Sequence, residues 1–233
     1  VRLKILATAG GLVAIDKPAG LLVIPGRREE DGPCARDLLA AQLGTRIWVC
    51  HRIDRDTSGV LVFATSAPSH RAASVAFESG GVKKRYLALV EGRLEAPLDL
   101  QVPLVAARRG RMRPARPGEE GKPSHTLVRP REVFTAASLV EAFPLTGRQH
   151  QIRVHLQAIG HPLLFDHQYG RKTPLTAREL GGRSDEVVLG RTPLHAEALE
   201  APALGLSATA PMPDDLLRCV ELLKGAAGRP RGQ

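Results

Sequence analysis

"HRIDRDTSGVLVFA", residues 51–64, places five ionisable side chains within six positions and then turns apolar. His51, Arg52, Asp54, Arg55 and Asp56 come first, Thr57-Ser58-Gly59 follows, and Val60 to Ala64 read as a buried strand. Asp, Ser, Thr and Gly suit a tight connection, because short polar side chains bond to nearby backbone and Gly tolerates positive φ. The plain reading is a turn between two buried elements. It accounts for Thr57-Ser58-Gly59 and leaves open why Asp54 and Arg52 stand at the edge of a core.

Working outward, strands are expected at about 47–51 and 59–65, on either side of that turn. Upstream, "VRLKILATAGGLVAI" is broken by Gly10 and Gly11 and reads as two short strands rather than a leader sequence. The first residue is Val, not Met, so the sequence can be part of a longer chain. Helices are expected near 34–43, 67–79 and 214–224, and further strands at 82–92, 125–133, 138–143 and 193–199. Arg/Pro/Gly-rich sequence at 107–123 reads as a flexible loop, 171–190 as loop with at most a turn of helix, and 226–233 as a disordered tail. "TGRQHQIRVHLQAIGHP" (146–162) carries helix signals: a Thr146/Gln149 capping box, an apolar stripe at Ile152, Leu156 and Ile159, and a Gly160/Pro162 stop. Strands dominate with no βαβ rhythm, which makes the fold class α+β.

The 233 residues carry 33 Lys and Arg against 24 Asp and Glu, a net charge of +9. Most of the positive charge is Arg, densest at "ARRGRMRPARPG" (107–118), and a polyanion is the natural partner. With one Trp, two Tyr and five Phe, a broad stacking platform is not expected. Cys34, Cys50 and Cys219 are odd in number and far apart, which suits a reducing cytoplasm better than a disulfide framework. No apolar run approaches the ~18 residues of a membrane span.

Chemical constellations are mostly excluded by spacing. His150 and His155 stand five apart, and Gln151 occupies the place of a zincin glutamate. No P-loop, dinucleotide fingerprint, kinase set or G-x-S-x-G occurs. What remains is Asp54 between Arg52 and Arg55, with Arg153 on the flank of the 146–162 helix. A carboxylate beside a guanidinium stays ionised, its pKa lowered by about 1–3 units, and can serve as nucleophile or base without a metal. A salt bridge tying loop to helix would use the same residues.

These residues resemble the RluA-type pseudouridine synthases. "HRIDRDTSGVLVFA" is similar to the family's H-R-[LI]-D-x-x-T-S-G signature. "VAIDKPAGLLV", "KKRYLALVEG", "LTGRQHQIRVHLQAIGHPLLFDHQYG" and "LHAEAL" resemble its other blocks in the same order, over about residues 5 to 205. Ile24, Gln149 and Phe165 depart from the residues usual at their positions. The resemblance implies isomerisation of uridine in rRNA or tRNA without cofactor or metal. It implies a mixed, mostly antiparallel, bent sheet in two subdomains with a central active-site cleft, spanning residues 1–225. Asp54 matches the catalytic aspartate, Tyr86 the tyrosine placed to take the C5 proton, and Arg153 the arginine that pairs with the aspartate. Arg52 matches the residue expected to fill the space left by a flipped base. Ile152, His51, Thr57 and Arg148 are expected to contact substrate. No S4 RNA-binding domain is expected in this chain, so the 107–123 loop becomes the candidate grip on RNA. A monomer in the cytoplasm is the expectation, and a catalytically silent RNA-binding relative is the alternative.

Overall fold

Two short strands open the chain, β1 (Lys4–Ala9) and β2 (Leu12–Lys17). Gly10 and Gly11 join them with φ of 53° and 76°, the left-handed pair that a two-residue hairpin turn needs. The computed structural model describes residues 2–26 and 32–227. Helix α1 (Ala35–Leu43) ends at a left-handed Gly44. β3 (Trp48–Val49) and β4 (Ser58–Ala64) flank the Asp54 turn. α2 (Ala67–Glu78) follows, capped by the Ser66 hydroxyl. The chain continues through β5 (Lys83–Glu91), β6 (Leu98–Leu100), β7 (Leu104–Ala106), β8 (Met112–Pro114), β9 (Thr126–Val133) and β10 (Ala137–Pro144). Then come α3 (Gln151–Ala158), β11 (Leu175–Thr176), β12 (Val187–Leu189), β13 (Leu194–Ala201), β14 (Leu206–Thr209) and α4 (Asp214–Ala227). Strands outnumber helices without βαβ alternation, so the fold is α+β.

The chain forms two units. One holds the described residues up to Arg85 together with His195–Pro211; the other holds Tyr86–Leu194 and the described residues from Met212 onward. In the first unit β2 pairs antiparallel with β1 and β4, β3 with β4, and β14 with β13, while β4 and β13 run parallel at Ser58 and His195. Every residue of β4 is buried, as its unbroken apolar run requires. Its side chains alternate between faces. Val60 and Val62 pack with Ala73 and Ala76 of α2, and Leu61 and Phe63 with Leu39 of α1.

In the second unit β5, β10, β9 and β6 pair antiparallel in that order. Leu87 and Leu89 pack with Leu216, Cys219 and Leu223 of α4, while Ala88 and Val90 pack with Ile152 and Leu156 of α3. β7 and β8 form a separate hairpin, as do β11 and β12.

Several expectations change. The 107–123 stretch is not simply a loop: β8 pairs with β7, and Arg113 makes two bonds of 2.7 Å to Glu119. The 171–190 stretch carries β11, a 3-10 turn at Arg178–Leu180 and β12. β6 and β14, of three and four residues, are too short to show a period. The 146–162 helix starts only at Gln151, and Thr146 and Gln149 form no capping box. Gln151 organises the approach instead: its Oε1 accepts from Thr146 Oγ1 (2.7 Å) and Arg148 N (2.9 Å). α4 runs to Ala227, and residues 228–233 of the expected tail lie outside the described residues. Among the described residues no helix is long and apolar enough to cross a membrane.

Candidate active site

Asp54 lies in the first unit, half-buried on the connection between β3 and β4, where the Thr57 N–H donates to its carbonyl (3.2 Å). Two devices fix that turn. The first is Lys17, which is wholly buried and donates through Nζ to the carbonyls of Pro18 (2.9 Å), Leu21 (2.8 Å) and Arg55 (2.8 Å). The Arg55 carbonyl also accepts from Gly20 N–H, and Arg55 Nε donates back to the Gly20 carbonyl, both at 2.9 Å. The "DKPAGL" segment therefore grips the residue next to Asp54.

The second device is the close approach of β4 to β13. A Cβ on Gly59 would meet the Ala196 carbonyl oxygen at 2.2 Å, and Gly59 has φ of +105°. Beside it, Ser58 Oγ bonds His195 Nδ1 at 2.9 Å, and His195 Nε2 lies 3.2 Å from the Ala210 carbonyl. With Nε2–H donating to that carbonyl, Nδ1 accepts from the Ser58 hydroxyl.

The remaining first-unit candidates divide. Arg52 is exposed and, among the described residues, makes no ion pair. His51 is turned inward: Val62 N–H donates to its Nε2 (3.0 Å) and its ring stacks on Phe77 at 4.7 Å. Burial, with the charge of Lys84 adding, pushes its pKa down to about 3. It is thus a neutral strut of the loop. Thr57 is 1% exposed and lies in the interior immediately before β4.

The second unit holds Tyr86, Ile152, Arg153 and Arg148. Tyr86 stands opposite Ala142 in the β5–β10 pair and packs on the cluster containing Ile152 and Leu156. Tyr86 and Ile152 therefore share one wall. Arg153, 4% exposed on α3, makes a two-pronged pair with Asp166 through Nε (2.7 Å) and Nη2 (2.8 Å), and Nη2 also donates to Gln168 Oε1 (3.0 Å). Burial alone would raise the Asp166 pKa; the Arg153 hydrogen bonds and the backbone N–H groups of Gln168 and Tyr169 outweigh it and hold the carboxyl below its usual range. Exposed Arg148 donates through Nε to the Pro123 carbonyl (3.0 Å).

Lys17, His195, Asp166 and Tyr169 are the residues that sequence reading misses. Each lies inside a quoted block, yet composition and spacing assign none of them a partner. Of the three departures, Ile24 and Phe165 pack in apolar clusters, and Gln149 Nε2 donates to the Gly110 carbonyl (3.2 Å).

Comparison with known proteins gives a consistent picture. A family model described as RNA pseudouridylate synthase matches residues 11–158. The chain is 40% identical over 233 aligned residues to ribosomal large subunit pseudouridine synthase D of Nitrosomonas europaea, covering 96% of this chain and 66% of that protein. It is 37% identical to ribosomal large subunit pseudouridine synthase C of Escherichia coli K12, covering 92% of this chain and 68% of that one. It thus spans about two thirds of the length of these curated relatives. Among solved structures, human RNA pseudouridylate synthase domain containing 4 superposes with a TM-score of 0.76 at 26% identity, over 95% of this chain and 93% of that one. Human RNA pseudouridylate synthase domain containing 1, at 24% identity and a TM-score of 0.69, shares the fold.

Proposed function

Because this chain belongs to the RNA pseudouridylate synthase family, as an RluA-type member, we propose that it isomerises uridine in structured RNA, rRNA or tRNA, to pseudouridine. The reaction balances within the nucleotide. The N1–C1′ bond breaks, the base turns, a C5–C1′ bond forms, the C5 proton leaves and N1 gains one. No oxidant, reductant or group donor is required. Asp54 acts at the sugar, either by attacking C1′ or by removing a C2′ proton, and Tyr86 takes the C5 proton. Arg153 belongs to the same machinery. Arg52 reaches into the stack that the target base leaves, and unstacking that base costs a few kcal/mol, offset by phosphate and pocket contacts. Residues 1–225 form the working catalytic domain, acting as a cytoplasmic monomer.

The observation that carries the assignment is the restraint on the Asp54 turn. A fully buried lysine and a glycine pressed against a neighbouring strand hold one half-buried carboxylate. A carboxylate with a chemical task needs such support, and one that merely decorates a turn does not. The test is tritium release from RNA labelled at uracil C5, with mixed rRNA and tRNA transcripts and no added metal or nucleotide. Wild type should release tritium, and Asp54→Asn should release none. Equal behaviour of the two proteins, or RNA binding without release, would mark a silent binder instead.

A further inference from the structure

The "FDHQYG" segment holds a tyrosine that the reaction does not use, and it joins the arginine hairpin to α3. The Tyr169 hydroxyl accepts from Met112 N–H of β8 at 2.7 Å and lies 2.7 Å from His150 Nδ1. The hydroxyl can accept from Met112 while sharing a proton with the imidazole, so one hydroxyl ties the hairpin to the residue preceding α3. His150 is held there at φ of 53°, a left-handed conformation that a non-glycine residue keeps only where its surroundings demand it. The Tyr169 ring lies under two guanidinium groups, with Arg153 at 4.9 Å and Arg111 of the hairpin at 5.5 Å. Its backbone N–H donates to Asp166 Oδ1 (3.1 Å), the carboxylate that pairs with Arg153. A parallel tie runs from Gln149 Nε2 to the Gly110 carbonyl at the hairpin tip.

That tip presents exposed arginines. Arg108, Arg109 and Arg111 face solvent, whereas Arg113 is neutralised by Glu119. A hairpin with such a tip suits a phosphate backbone.

We propose that Tyr169 is a positioning residue that couples the hairpin to Arg153, so that RNA phosphates on Arg108 and Arg109 set the orientation of the Arg153 guanidinium. This rests on the synthase reading, because it takes Arg153 to act on the substrate. The Arg153–Asp166–Tyr169 cluster is one packed, hydrogen-bonded body, and the Tyr169 hydroxyl is its link to β8. Removing that hydroxyl leaves the ring under both guanidinium groups and cuts the hydrogen bonds to Met112 of β8 and to His150.

The experiment measures single-turnover pseudouridine formation at saturating RNA, using the transcript that wild type modifies fastest. Four proteins are compared: wild type, Tyr169→Phe, Arg108→Ala/Arg109→Ala, and the combination. A coupled pair should behave non-additively. Tyr169→Phe and the double arginine variant should each be about tenfold slower, and the combination should fall no more than about twofold below the slower of them. Multiplied losses of about a hundredfold, or an unchanged rate in Tyr169→Phe, would overturn the coupling. Should Tyr169→Phe fail to fold by circular dichroism, Arg111→Ala replaces it, since it removes the hairpin's other contact with Tyr169, the guanidinium over its ring. Absence of product from wild type on every RNA defeats the synthase reading itself, a separate result from altered rates among active variants.

Discussion

Lys17 is the residue with the widest reach. Its ammonium holds the carbonyls of Pro18, Leu21 and Arg55, and the last of these lies 38 positions away. Lys17→Met would fill the same space and strand three carbonyls in the interior. The expected loss is at least about 2 kcal/mol, read from urea denaturation, together with a fall in tritium release as Asp54 loses its support. Nothing in the local sequence separates such a lysine from a surface one, since the carbonyls it meets come from a loop that spacing does not place beside it. Asp54 is legible for the opposite reason: its ionisable neighbours and the apolar run after it sit in one quoted stretch. His51 supplies a test by pH. Its pKa of about 3 lies below the ordinary 6.5, so the unfolded chain takes up the proton first. The contribution of His51 is therefore intact above about pH 6.5 and declines toward pH 3, by up to about 1.4 kcal/mol per pH unit. Urea midpoints from pH 7 to pH 4 should fall more steeply for wild type than for His51→Gln, whose amide carbonyl can accept the Val62 N–H without titrating.

At the scale of elements, β4 and α3 show why pattern reading succeeds and stops short. β4 is found from its apolar run alone, yet its parallel neighbour β13 is 137 positions away at the Ser58–His195 bond. Gly59 reads as a turn residue in the sequence, while in the fold it lets two strands touch. Gly59→Ala should cost about 4 kcal/mol or more, because the added methyl meets the Ala196 carbonyl at 2.2 Å and φ is unfavourable for alanine. Thermal melts of that variant against wild type would measure it. α3 is correctly a helix, with its stripe of Ile152 and Leu156 buried. Its start is misplaced because two glutamines stand close together, and only tertiary contacts show that Gln151, bonded to Thr146 and to the His125 carbonyl, orders the approach. β7 and β8 escape notice because prolines and arginines mask a three-residue pairing.

For the molecule as a whole, the charge of +9 is evident from composition, but its distribution is not. Arg113 is spent on Glu119, leaving Arg108, Arg109 and Arg111 as the exposed cations at the hairpin tip. Replacing those three with alanine should weaken RNA binding and reduce the slope of log K against log salt by about 0.7–0.9 per lost contact, measured by filter binding at several salt concentrations. An unchanged slope would remove the hairpin from the interface. The discontinuous first unit also bears on how the protein is made. Synthesis is vectorial, at about 5–20 residues per second, so on the order of ten seconds separate the appearance of Ser58 from that of His195, 137 residues later. Throughout that interval the nascent chain carries the Asp54 turn without the strand against which Gly59 closes. A holdase chaperone or a slow stretch of codons before residue 195 would therefore act on the assembly of the Asp54 loop itself, long after its residues have left the ribosome.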